Sequence, residues 1–208
     1  MVPLNGDPLL EHLVKYLFTF GVRRFIICVG HKAEAIEKFV KDREHKYGDI
    51  VCVDSGDAGM TDRIRDAREH VRGLALVCYG DTLANVDLAE LLAHHRQTGA
   101  LSTVTVYPLH SPFGIVDTDD ESRVQSFREK PKLPYWINIG FLVCEPSAFE
   151  YLADGADMVS FLSVMAAAGV LFSYQHTGKH LTVNTEKERV AAETEMVEFY
   201  TYMDGQIR

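Results

Sequence analysis

The sequence lacks the marks of several large protein classes. No run approaches the ~18 consecutive apolar residues of a membrane-spanning helix. The opening Met1-Val2-Pro3-Leu4-Asn5-Gly6-Asp7 has neither the basic start nor the apolar middle of a secretory signal. No G-x-S-x-G elbow, Walker A loop or G-x-G-x-x-G turn occurs, which counts against a serine hydrolase, a P-loop NTPase and a dinucleotide oxidoreductase. Cations are scarce: 21 Lys and Arg face 30 Asp and Glu, for a net charge of −9. That balance repels a phosphate backbone and argues against a nucleic-acid partner. Small phosphate ligands stay open, because a metal ion can neutralise them locally. The four cysteines, Cys28, Cys52, Cys78 and Cys144, form no CxxC pair and no zinc spacing. Three sit in apolar runs and read as small buried hydrophobes of a reducing compartment, so the expected location is the cytoplasm, with no membrane contact. Of the nine histidines, His94-His95 read as exposed helix positions, and His31, His110, His176 and His180 read as structural, without a partner at ligand spacing.

What is present is an ordinary globular composition: 208 residues, 47% hydrophobic and 25% charged. Helix and strand patterns alternate over the first two-thirds. Helical spacing runs over 8–20, 32–46, 61–71 (with Thr61 as the N-cap) and 88–98. Apolar strand runs fall at 24–29, 49–54, 74–79 and 101–107. The alternation predicts a Rossmann-like α/β fold, a mostly parallel sheet flanked by helices. A hairpin then follows, 113–118 and 123–128 around Asp119-Asp120-Glu121-Ser122. After it come a strand at 136–144, helices at 145–153 and 158–168, and a strand at 170–176. A last helix runs from 186 to about 203, with Val190, Met196, Val197 and Phe199 as candidate core residues. The chain reads as one domain over 1–208, with a core of 8–110 and 136–208 and a small β-rich lobe at 111–135.

Four places carry residues suited to chemistry. Val77-Cys78-Tyr79-Gly80-Asp81 ends an apolar strand with a carboxylate at the edge where open α/β sheets bind ligands. A carboxylate there can hold Mg²⁺ against substrate phosphates; a plain turn is the competing reading. In Phe127-Arg128-Glu129-Lys130-Pro131, Lys130 can serve as a point charge on a phosphate and Glu129 can accept from sugar hydroxyls; a solvated charge cluster competes. In Trp136-Ile137-Asn138-Ile139-Gly140-Phe141, the Asn138 amide suits vicinal hydroxyls, and Gly140 allows a ligand or another backbone close approach. In Leu181-Thr182-Val183-Asn184-Thr185, Asn184 or Thr185 is a natural N-cap. Glu188 can complete a capping box with Thr185, and Asn184 could instead offer a neutral oxygen to a metal.

Taken in order, these stretches resemble the sugar-phosphate nucleotidyltransferases (NDP-sugar pyrophosphorylases), and glucose-1-phosphate cytidylyltransferase-like members most of all. The matching segments are Pro3-Leu4-Asn5-Gly6-Asp7-Pro8-Leu9-Leu10, Tyr79 to Asp87, Phe113-Gly114, Phe127 to Pro131 and Trp136 to Phe141. The resemblance implies joining of a sugar 1-phosphate to a nucleoside triphosphate, CTP favoured, with Mg²⁺ and release of pyrophosphate. It implies catalytic roles for Asp81 and Lys130, sugar-pocket roles for Glu129, Asn138 and Gly140, and metal ligation by Asp81 and Asn184. Many members carry Asp where Asn184 stands. Gly59-Met60-Thr61-Asp62-Arg63-Ile64 lies where related sequences often show a Gly pair near the base. The family pattern also opens with a central strand and a G-G-x-G-T-R loop that this sequence does not show. The expectation is that both lie upstream of Met1 and that the strand is buried on both faces. A non-catalytic sugar-phosphate-binding or regulatory relative is the alternative, and an unrelated Rossmann-like module a weaker one. A homo-oligomer is compatible with all three.

Overall fold

The computed structural model describes residues 1–206, with side chains at 44, 45, 197, 198 and 200–206 excepted. Two short strands open it, β1 (Pro3–Leu4) and β2 (Asp7–Pro8). Asn5 and Gly6 turn between them with φ of 47° and 91°, the positive pair that tight hairpins use. Helix α1 (Leu9–Thr19) follows, buries Leu9, Leu13, Val14, Tyr16 and Leu17, and is stopped near Gly21 at φ 88°. The charged helix expected over 32–46 is two pieces, α2 (Ala33–Lys41) and α3 (Glu44–Tyr47), between β3 (Arg24–Val29) and β4 (Asp49–Asp54).

Helix α4 (Met60–Ala67) begins after Gly59. Thr61 is not its cap: its side chain is buried and donates to the Ala156 carbonyl. Strands β5 (Ala75–Cys78) and β6 (Thr82–Ala84) lead into α5 (Leu88–Thr98). The Asp87 carboxylate caps α5 by accepting from the Ala89 and Glu90 amides at 2.9 and 3.0 Å. Then come β7 (Ser102–His110), the hairpin β8 (Ile115–Thr118) and β9 (Val124–Arg128), and β10 (Lys132–Cys144). The segment expected as a helix at 145–153 is a 3₁₀ turn, Pro146–Tyr151. Helix α6 (Met158–Ala167), β11 (Leu171–Gln175), β12 (His180–Thr182) and α7 (Glu186–Gln206) complete the order.

The principal sheet has the order β11-β7-β10-β5. β11 runs parallel to β7, while β10 is antiparallel to both β7 and β5. Three strands therefore share one direction and β10 opposes them. The reason is connectivity: a hairpin lobe rather than a crossover helix leads from β7 into β10. A second parallel ladder joins β3 to β4. Among the described residues, β3 pairs only with β4 and β5 only with β10, so each keeps one edge without a strand. Phe25 of β3 and Leu76 and Cys78 of β5 nevertheless pack into the same core.

Strand β10 shows how the core is divided. Ile139, Phe141 and Val143 face a cluster built with α1, α5 and α7, whereas Leu142 and Cys144 face one built with Ile64, Phe161 and Met165. The two-residue period thus buries both faces of its second half, while Tyr135 to Asn138 stay exposed. In α7, Met196 and Phe199 are fully buried, Val190 is exposed, and the Val197 side chain lies outside the described residues. Val190 lies on the solvent side of α7, while Ala192, Met196 and Phe199 reach the core. His95 also departs from expectation. It is buried, with Nδ1 2.8 Å from the Thr103 hydroxyl, because α5 presses that face onto β7.

Candidate functional site

The site sits where β5 ends and β10 changes from exposed to buried. Between Asn138 and Leu142 the β10–β7 register shifts, a bulge that takes backbone groups out of the ladder. The freed Gly140 amide donates to the Asn138 side-chain oxygen at 2.8 Å. The Asn138 amide nitrogen then donates to the Tyr79 hydroxyl at 3.1 Å. Gly140 has φ 75°, and a Cβ there would lie 2.4 Å from the Tyr79 ring. The close approach that Gly140 allows is therefore to Tyr79, which fills the notch. The Tyr79 amide also donates to the Gly140 carbonyl at 3.0 Å, extending the β5–β10 ladder to the edge of the sheet.

Two residues on, Asp81 is exposed. Its placement comes from the β6–β12 ribbon, which pairs Thr82 with Thr182. The Val183 amide donates to the Asp81 carbonyl at 3.1 Å, bringing Asn184 alongside. The buried Thr82 hydroxyl donates to the Asp81 carboxylate at 3.1 Å and restrains it. Asn184 uses its backbone amide on Glu188 at 2.8 Å and keeps its side chain exposed. The expected capping box is present: the Thr185 amide donates to Glu188 at 3.0 Å, and the Glu188 amide to the Thr185 hydroxyl at 3.2 Å.

Glu129 and Lys130 lie on the lobe. Gly114 makes room for them: a Cβ there would meet Phe127 at 2.7 Å and the Glu129 carboxylate at 3.1 Å. Lys130 is exposed, at φ 44°, and its ammonium has no ion pair among the described residues. A backbone bond of 3.0 Å from Ser111 to Pro131 ties the base of the lobe to the sheet. No hydrogen bond joins Glu129 or Lys130 to Tyr79, Asp81 or Asn138 among the described residues, so the structure gathers the candidates into an edge set and a lobe set.

Behind the edge, the rings of His180 and His176 stand 5.1 and 6.1 Å from Tyr107. Burial pushes both imidazoles below the ordinary histidine range, and the neighbouring His176 adds to the effect on His180. Both are therefore mostly neutral at pH 7. The described residues include no group of three or more His, Cys, Asp or Glu able to hold a metal ion. One exposed carboxylate and one neighbouring carboxamide suit a magnesium ion that takes its remaining ligands from phosphates and water, and do not suit a closed structural site. Tyr79 and Thr82 escaped the sequence reading. The only signals were an aromatic residue directly before Gly80-Asp81 and a hydroxyl directly after it.

An α/β sheet with an acidic residue just past a core strand, and a separate β hairpin carrying Glu129 and Lys130, places the chain in the Rossmann-like α/β class, whose sheets bind ligands at that edge. The family model described as nucleotidyl transferase matches residues 1–163. The chain belongs to that family and is an enzyme of its class. It is 31% identical over 209 residues to a probable glucose-1-phosphate cytidylyltransferase of Bacillus subtilis, covering 88% of this chain and 82% of the relative. It is 28% identical over 220 residues to glucose-1-phosphate cytidylyltransferase of Salmonella typhi, covering 93% and 85%. In fold it is similar to HddC from Yersinia pseudotuberculosis, with a TM-score of 0.74 at 20% identity, covering 94% of this chain and 88% of that one. A structure of that protein complexed with GMP-PN superimposes equally well, with a TM-score of 0.74. No helix among the described residues is long and apolar enough to cross a membrane.

Proposed function

We propose that this enzyme joins a sugar 1-phosphate to a nucleoside triphosphate, CTP before the others, releasing pyrophosphate with Mg²⁺ as cofactor, in the cytoplasm. The observation that carries the reading is the union of Asp81 and Asn184 by the β6–β12 ribbon, next to the Tyr79–Asn138–Gly140 interlock. Relatives with cytidylyltransferase names support CTP.

A phosphate oxygen of the sugar substrate attacks the α-phosphorus in line, and pyrophosphate departs. Both reactants are polyanions, so rate comes from positioning and charge neutralisation rather than from a protein nucleophile. Asp81 and Asn184 would hold the magnesium ion, which when bound offsets the triphosphate's charge. Lys130, unpaired and held by a left-handed backbone turn, supplies a point charge to the sugar phosphate. Asn138 and Glu129 contact sugar hydroxyls.

The test is pyrophosphate release from glucose 1-phosphate with CTP, UTP, GTP and TTP in turn, with and without Mg²⁺. CTP with Mg²⁺ should be fastest. Asp81→Asn should lower turnover by roughly a hundredfold or more with the thermal midpoint unchanged. Lys130→Ala should raise the KM for the sugar phosphate roughly ten- to a hundredfold. Faster turnover with another triphosphate would remove the CTP preference. Saturable binding of sugar phosphate with no turnover in the intact chain would favour a binding protein instead.

A further inference from the structure

We infer that Tyr79 is a sugar-recognition residue, its phenolic O–H donating to a hydroxyl oxygen of the sugar 1-phosphate beside Asn138. The inference rests on the function proposed above and goes beyond it by naming a contact that fixes which sugar is accepted.

The hydrogen-bond directions carry the argument. The Gly140 amide can only donate, so the Asn138 atom 2.8 Å from it is the oxygen, and the side-chain orientation is settled. The other end of the same amide is NH₂, which lies 3.1 Å from Tyr79 Oη and must donate to it. Tyr79 Oη is therefore an acceptor toward Asn138, and its own proton points elsewhere. No acceptor for that proton exists among the described residues. The second Asn138 N–H is likewise uncommitted.

The result is a pair of hydrogen-bond donors at the mouth of the sheet edge, two residues from Asp81. Two donors side by side match two oxygens on adjacent carbons, as a pyranose presents. They do not match a phosphate so well as a cation does, and Lys130 is placed separately for that. The pair is also rigid. The ring is seated where Gly140 has no side chain, and a Cβ there would come within 2.4 Å of it. A donor held in place before the ligand arrives loses little freedom on binding and discriminates strongly against a sugar that lacks the matching oxygen.

Tyr79→Phe tests this, because it removes the donor and leaves the ring in the notch. Calorimetry on the intact chain would use α-D-glucose, mannose and galactose 1-phosphates, and CTP with Mg²⁺ separately. The expected result is roughly three- to tenfold weaker binding of the preferred sugar phosphate, with CTP affinity and thermal midpoint unchanged. Among monodeoxy sugar phosphates, one should bind Tyr79→Phe and the unaltered protein equally, identifying the hydroxyl that Tyr79 touches. Equal binding of the parent sugar phosphate by both proteins would overturn the role of Tyr79 while the function stands. Weakening of CTP and sugar phosphate alike would make Tyr79 structural and also overturn it. If the unaltered protein bound no sugar 1-phosphate, the function itself would fall and this contact with it.

Discussion

Gly140→Ala isolates the packing at the heart of the site. Gly140 has φ 75°, and an alanine in that region costs about 1–2 kcal/mol. The new Cβ would also lie 2.4 Å from Cγ and Cδ2 of Tyr79 and 2.9 Å from its Cβ. These atoms belong to the near end of a ring on β5's continuation, so they cannot simply swing aside. Relieving such overpacking costs about 1–3 kcal/mol. The two contributions together predict a loss of about 2–5 kcal/mol, a large share of the 5–15 kcal/mol typical of a folded domain. Urea unfolding monitored by circular dichroism measures it directly. A double-mutant cycle with Tyr79→Ala then separates the parts. With the ring gone, the two 2.4 Å contacts disappear and Gly140→Ala should retain the backbone contribution and the 2.9 Å approach to the Cβ at position 79, giving a coupling of about 1–3 kcal/mol. Sugar-phosphate affinity should fall in Gly140→Ala as well, because a displaced Tyr79 no longer meets Asn138. A loss under about 1 kcal/mol, or a coupling near zero, would refute the claim that Gly140 exists to seat Tyr79.

Two other features make separate predictions. Glu11 is buried on α1 and accepts from Arg43 at 2.7 Å, Lys46 at 2.8 Å and Tyr47 at 3.0 Å. Burial raises its carboxyl, but the bonds from Lys46, Arg43 and Tyr47 outweigh that and hold it below its ordinary value of 4.5. Its contribution is therefore present above pH 4.5 and is lost as pH falls through the lower folded value. Glu11→Gln should cost about 1–3 kcal/mol near neutrality. It should also flatten stability against pH on the acid side, and an unchanged acid slope would contradict the assignment. The unpaired edges of β3 and β5 give a hydrogen-exchange prediction. Outward amides there should exchange much faster than the ladder amides of β10 facing β7, and equal protection would mean that those edges are covered.

Short-range chemistry was legible in the residues themselves. The alternation of apolar runs and amphipathic spacings located β3, β4, β5, β7, β10, α1, α5 and α6 to within a few residues. Asp119 to Ser122 announced the hairpin, and Thr185 and Glu188 announced the start of α7. Strands of two or three residues were not legible. β6 and β12 are too short to show a period, and each exists only because the other pairs with it. Thr61 and His95 were misplaced for a related reason. Their surroundings come from the Ala156 carbonyl and the Thr103 hydroxyl, which no local pattern reveals. Nothing local marks Glu11 as buried, because its three donors come from Arg43, between α2 and α3, and from Lys46 and Tyr47 of α3.

By itself the sequence determined the class of fold, the carboxylate at the end of β5, and the loop cation at Lys130. These follow from periodicity, turn residues and motif order, which act over a few positions along the chain. Only the tertiary structure decided that Asp81 stands beside Asn184, that the notch at Gly140 holds Tyr79, and that the Asn138 amide donates to the Tyr79 hydroxyl. It also decided that β10 opposes its neighbours and that, among the described residues, β3 and β5 each keep one edge without a strand. Such facts depend on which strands pair and which side chains share a cavity. Pairing is settled by the whole core minimising exposed apolar surface and unpaired backbone groups together, and no single segment carries that information.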